Sequence, residues 1–144
     1  GAKESLATLP GLVVCGGRTR DGKPVSDVRR LDLATLRWEA MPSLLLARSH
    51  HACCAVRGAL VVLGGSLSSG ALSSGEVIPS VEMLAKGEGA FTALPPLSCG
   101  KISDAAAVMV EEGGSVAGQV LLLGGHARDQ GVMSTVHLVD LATG

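Results

Sequence analysis

Leu12-Val13-Val14-Cys15-Gly16-Gly17, Leu60-Val61-Val62-Leu63-Gly64-Gly65 and Val120-Leu121-Leu122-Leu123-Gly124-Gly125 are three copies of one pattern, an apolar run closed by a glycine doublet. Four apolar residues in a row fit a strand buried on both faces. Glycine has no Cβ, so it permits close backbone approach and positive φ where the strand leaves the core. A second motif follows each doublet. Val28-x-x-Leu31-Asp32-x-x-Thr35-x-x-Trp38-x-x-Met41-Pro42 aligns with Val81, Leu84, Phe91, Leu94 and Pro95, and again with Val136, Val139, Asp140 and Thr143. The three valines lie 53 and then 55 residues apart. A period near 50 with these marks reads as the blades of an all-β propeller.

The second unit shows the plan of one four-stranded antiparallel blade. His51 to Val56 is the first strand, Arg57-Gly58 a tight turn, and Leu60 to Leu63 the second strand. After a loop, Val81 to Leu84 is the third strand. Phe91 to Leu94 is the fourth, closed by Pro95-Pro96, which cannot donate to a ladder. In the first unit the third strand falls at Asp27 to Leu33 and the fourth at Arg37 to Ala40, joined by a turn that the Asp32 and Thr35 side chains fix. Trp38 and Phe91 occupy one slot, where a large ring covers the outer half of the blade and is buried against a neighbour. The units are 1–47, whose first strand is truncated at Ser5 to Thr8, 48–100, and 101–144, which lacks its fourth strand. They form one incomplete arc of just under three blades. Two inserts, the Ser/Gly-rich run Ser66 to Gly75 and the run Glu111 to Gln119, read as surface loops.

Composition narrows the function classes. Of 144 residues, 47% are apolar, and the net charge of −1 offers no basic footprint for nucleic acid. No apolar stretch approaches the roughly 18 residues that span a bilayer, and no signal peptide is visible at the N-terminus. The four cysteines, Cys15, Cys53, Cys54 and Cys99, include no CxxC pair and read as buried reduced thiols. That suits a reducing compartment, cytoplasmic or nuclear. His50 and His51 are neighbours on a strand and point to opposite faces, so they do not share a metal ion. His51 and Cys53 share a face, but two ligands leave a zinc site incomplete. No metal or other cofactor is expected. Neither a GxGxxG nor a GxxxxGK[ST] phosphate loop is present, and Glu111-Glu112 lack a spaced carboxylate partner.

These marks resemble the kelch repeat family. The doublets Gly16-Gly17, Gly64-Gly65 and Gly124-Gly125 carry the resemblance, with the third-strand valines, Asp32, Thr35, Trp38 and Met41-Pro42. It departs at the third-strand tyrosine of the family, which here is Leu31, Leu84 and Val139. The resemblance implies blades arranged around a channel, five to seven in a complete ring, so the chain reads as a segment whose terminal blade faces self-associate. It further implies a non-catalytic module that binds a protein or peptide, including substrate recognition in a ubiquitin-ligase adaptor. The alternative is the propeller portion of a carbohydrate-active enzyme, an oxidase or sugar isomerase. A basic residue at the crossing from one blade to the next often lines the binding face of such adaptors. Arg48 stands there, 16 residues before Gly64, and Lys101 is its expected counterpart once seven inserted residues are removed. Arg18, Arg20, Ser66, His126 and Arg128 follow the doublets on loops that the repeat places on one rim.

Overall fold

The computed structural model describes residues 11–67, 76–127 and 129–144. Their regular structure is entirely β. The first sheet runs β1 (Gly11–Cys15), β2 (Val28–Asp32), β3 (Arg37–Met41), antiparallel and in chain order. The second has four strands in chain order, β4 (Ala52–Val56), β5 (Ala59–Leu63), β6 (Val81–Leu84) and β7 (Thr92–Leu94). The third holds β8 (Ala106–Val110) and β9 (Gln119–Leu123). After a small hairpin, β10 (His126–Ala127) with β11 (Gly131–Val132), it is completed by β12 (Val136–Asp140), again antiparallel. These are the blades of an incomplete propeller arc. The first strand expected at Ser5 to Thr8 lies outside the described residues, as does the insert at 68–75.

Local chemistry sets the turns. Arg57 and Gly58 both have positive φ, 49° and 82°, and leave Val56 directly opposite Ala59. That is the primed two-residue turn, whose twist matches antiparallel strands. Between β2 and β3, the Asp32 carboxylate accepts the N–H of Ala34 at 2.8 Å and of Thr35 at 3.2 Å. Asp140 repeats this with Ala142, and also accepts the N–H and hydroxyl of Ser115 at 2.9 and 2.6 Å. These hydrogen bonds, the Ser115 hydroxyl's first, hold its pKa below the usual carboxylate value. The insert in the third unit is thereby tied down from two sides, because Arg57 also donates to the carbonyls of Ser115 and Val116.

The core lies in the seams between blades. Successive side chains on a strand point to opposite faces, and β5 shows the result. Val62 packs toward the first blade with Cys15, Val28, Leu44, Leu84 and Phe91. Val61 and Leu63 pack toward the third with Val120, Leu122, Val139 and Leu141. All three β5 residues are buried, so the apolar run is filled from both sides. The matching run on β1 is filled from one side only. Val13 and Cys15 face the second blade, while Leu12 and Val14 are exposed.

The same asymmetry corrects the expectation for Trp38. It pairs with Leu31 as Phe91, by continuation of the register, pairs with Leu84, so the slot is shared. Phe91 is 3% exposed and Trp38 52%. Phe91 points at the first blade; Trp38 points along the same direction, away from the second blade and from every described strand. The thiols also depart from expectation: Cys15 is buried and Cys54 half-buried, but Cys53 and Cys99 are exposed.

Candidate functional site

Antiparallel order fixes which loops share an end of the arc. The connections between second and third strands lie at the same end as the crossings from one blade's outer strand to the next blade's inner strand. The short turns lie at the other. At the loop end the doublets meet the crossings. Gly17 donates to the Arg48 carbonyl and Gly65 to the Ile102 carbonyl, both at 2.9 Å. Gly65 has φ 93°, and a Cβ there would sit 2.6 Å from the Ser49 carbonyl oxygen. Only glycine fits so close an approach.

A polar rim grows from this contact. Ser49 forms an antiparallel bridge with Ser66, and Ser103 the equivalent bridge with His126. The next residues, His50 and Asp104, both take positive φ, 55° and 58°. This turns their side chains out of the strand path, and both are exposed. Around the first bridge the side chains join up. Arg18 Nε donates to Ser49 Oγ at 3.1 Å, Ser49 Oγ lies 3.1 Å from His50 Nδ1 and 3.3 Å from Ser66 Oγ, and Ser66 Oγ lies 3.4 Å from His50 Nδ1. Around the second, Ser103 Oγ donates to Asp104 Oδ2 at 3.0 Å. The Asp104 N–H donates to the His50 carbonyl at 2.8 Å, linking the two groups across blades. The buried serines anchor the rim; Arg18, His50, Asp104 and His126 present it to solvent.

Of the expected site residues, Arg18, Ser66 and His126 meet on this rim. Arg20 is exposed on the turn that Thr19 closes by bonding Lys23, apart from the network. Arg128 lies outside the described residues. Lys101 is exposed and pairs with Glu76 at 3.7 Å. It is not the counterpart of Arg48: the bridges Ser49–Ser66 and Ser103–His126 make Ile102 the equivalent residue. The turn 57–58 is replaced by 111–118, six extra residues rather than seven, which moves the equivalent place from 101 to 102.

Arg48 itself is not on the rim. It is 0% exposed. Its guanidinium donates to the carbonyls of Gly64 and Ser80 at 2.9 Å, to Ser80 Oγ at 3.0 Å and to Glu82 Oε2 at 2.6 Å. Glu82 is equally buried and accepts the N–H groups of Leu45 and Leu46 at 2.7 and 3.2 Å. Burial pushes the Arg48 pKa down, and the Glu82 charge opposes that. This is a seam fastening between the first two blades. Sequence reasoning missed Glu82, Ser49, Ser103 and Asp104. The signal available was serine: Ser49 and Ser103 each stand three residues before an inner strand.

Behind the rim, His51 Nε2 lies 3.5 Å from Cys15 Sγ. Cys53, on the same face of β4, shares a hydrogen bond with Cys15. That bond lowers the Cys53 pKa to about 7 and, with burial, raises that of Cys15. Burial likewise lowers the His51 pKa. Among the described residues no group of three His, Cys, Asp or Glu is placed to hold a metal ion, and no helix is long and apolar enough to cross a membrane.

The glycine-doublet blade with this strand register is what the Kelch motif describes, and that motif matches residues 11–45 and 47–78. Those two stretches carry the Kelch motif. The third blade continues them by register: His126 bridges Ser103 as Ser66 bridges Ser49. No curated protein matches the chain. A solved structure titled "Structure of YjhT" superposes with a TM-score of 0.74 at 12% identity, over 90% of this chain and 40% of that one. At that identity the likeness is one of fold, and this chain spans 40% of the other's length. Kelch propellers commonly mediate protein interactions; the fold by itself does not choose the partner.

Proposed function

We propose that this kelch arc is a non-catalytic recognition module whose loop-end rim binds an acidic peptide segment of a protein partner. The observation that supports the reading is the Arg18–Ser49–Ser66–His50 network. It holds a guanidinium and an imidazole at the mouth of two blades on hydroxyls that are themselves buried. A cation preorganised in this way loses little freedom on binding, and an arginine grips a carboxylate through two parallel hydrogen bonds. Asp104, on the neighbouring blade, rejects an acidic group one position further on and so sets direction along the rim. Within a longer protein the same rim would select substrates for a ubiquitin-ligase adaptor in the cytoplasm or nucleus.

The test is fluorescence anisotropy with short labelled peptides of acidic, neutral and basic composition. Acidic peptides should bind best. Arg18→Ala with His50→Ala should weaken them about 10–100-fold, the range expected for a partly exposed charged contact, with an unchanged melt. Equal binding of all three peptide classes, or binding that ignores the double substitution, would remove the rim from consideration.

A further inference from the structure

The contact between the second and third blades lacks a carboxylate that the contact between the first two has. In the first seam Glu82 reaches the crossing and accepts the N–H groups of Leu45 and Leu46 at 2.7 and 3.2 Å. In the second seam the same strand position is His137. Thr135 accepts from Gly124 at 2.8 Å as Ser80 accepts from Gly64 at 2.9 Å, and Val136 stands opposite Leu123 as Val81 stands opposite Leu63. The crossing changes too. Leu44 and Leu97 open the two crossings alike, donating to the carbonyls of Ser26 and Pro79 at 2.8 Å. Leu45 to Ala47 then lead to Arg48, but Ser98 to Lys101, one residue more, lead to Ile102. Gly100 takes up the extra length with φ 100°. The N–H groups of Ser98 and Cys99, in the places of Leu45 and Leu46, meet no carboxylate among the described residues.

These two changes leave a cavity of about 510 Å³, a size that takes a small ligand or one side chain of a larger one. Cys99 and Lys101 line it from the crossing, Thr135 and His137 from the third blade, and Asp129 and Met133 from the loop that carries β10 and β11. It lies between two blades, not at an end of the arc. An outer strand does not fill this place: in the first two blades the outer-strand residues opposite Arg29 and Glu82 are Ala40 and Ala93, both exposed.

The lining suits one negative group. Lys101 is exposed and holds Glu76 at 3.7 Å. An exposed pair of that kind is worth little, so a ligand carboxylate can displace Glu76 at small cost. His137 is half-buried, and an imidazole offers an N–H in either neutral tautomer. Met133 gives an aliphatic stem something to lie on. Ile102, in the Arg48 place, brings no charge into the depth of the seam, so the negative group is held at the open side of the cavity. Asp129 opposes a second charge, which limits the site to one carboxylate.

We propose that this cavity is a binding site for a single carboxylate on a short aliphatic stem, the group that the first seam supplies from its own Glu82. The carboxylate comes from an acidic side chain of a partner or from a free organic acid. The site is separate from the Arg18–Ser49–Ser66–His50 network and does not depend on it.

The experiment is a titration of the nitrogen-labelled chain followed by amide correlation spectra. The probes are butyrate and acetyl-glutamate amide, each beside its neutral counterpart, butyramide and acetyl-glutamine amide. Saturating shifts are expected at Cys99, Gly100, Lys101 and His137 with an acid and not with its counterpart. Saturation by butyrate alone assigns the site to a free acid; saturation by acetyl-glutamate amide assigns it to an acidic side chain. Lys101→Ala and His137→Gln should each weaken binding about 3–5-fold, the size of a partly solvated charged contact. His137→Glu should abolish it, because the chain's own carboxylate then occupies the place. Equal shifts from acid and neutral counterpart, shifts that never saturate, or an affinity unchanged in both single variants would overturn the proposal. So would saturating shifts at Arg18, Ser49 and His50 instead, which assign the acid to the rim. The comparison of acid with neutral counterpart on the unaltered chain decides even where a variant does not fold.

Discussion

Replacing Arg48 with alanine should destabilise the fold, because the side chain joins two blades. Four hydrogen bonds leave the guanidinium, to Gly64, twice to Ser80, and to Glu82. After the substitution Glu82, 1% exposed, keeps the N–H groups of Leu45 and Leu46 but loses its counter-charge. Breaking a buried pair from one side costs about 3–5 kcal/mol. In a domain of this size that lowers Tm by about 10–20 °C. The apolar replacement Arg48→Met with Glu82→Leu removes the stranded charge and should recover part of the loss. Its recovery is incomplete because the Leu45 and Leu46 N–H groups are then unpaired, at about 1–3 kcal/mol. The expected order of urea midpoints is wild type, then the apolar double variant, then Arg48→Ala. An alanine variant within 1 kcal/mol of wild type, or a double variant less stable than the single one, would refute the assignment of Arg48 to the seam.

Other outcomes follow from the same structure. Phe91→Ala empties a buried place between the first two blades and should cost about 3–5 kcal/mol by urea denaturation. Gly65→Ala meets the Ser49 carbonyl and should cost clearly more than Gly87→Ala, which has positive φ but nothing within 4 Å of an added Cβ; paired thermal melts compare them. His51 supplies a pH dependence. Burial sets its folded pKa below the ordinary 6.5, so the unfolded chain binds the proton more readily. Stability then falls as pH drops through about 6.5 toward the folded value. The urea midpoint should decline between pH 7.5 and 5.5 in wild type and decline less in His51→Gln.

The fold was legible because its signals are local and repeated. The doublets, the Asp32 turn and the Arg57-Gly58 hairpin each follow from a backbone requirement that names its own residues. The burial of Trp38 was not legible in the same way. Its slot is correct, but burial depends on what stands opposite, and the motif that places an aromatic ring does not say which blade has a neighbour. The rim was half legible. Arg18, Ser66 and His126 follow the doublets, so the repeat alone places them at one end of the arc; Ser49 and Asp104 come from the crossings, where alignment by charge misplaces the register. A cation is a poor anchor there, since Arg48 and Ile102 share a place, one making an ion pair and the other an apolar contact.

That exchange bears on how nearly alike blades keep their order. Apolar faces built from leucine and valine at the same register discriminate poorly among one another. The third-strand position of Glu82 is Arg29 in the first blade and His137 in the third. A leading face that carries Glu82 is satisfied only behind the crossing that carries Arg48. Docked on the seam formed by Ile102, it would bury a carboxylate without a counter-charge. The ion pair need not add net stability to serve this purpose; it is enough that every wrong pairing strands one of its members. The seam between the second and third blades, filled by Ile102, Leu63, Val81 and Leu122, has no such restriction.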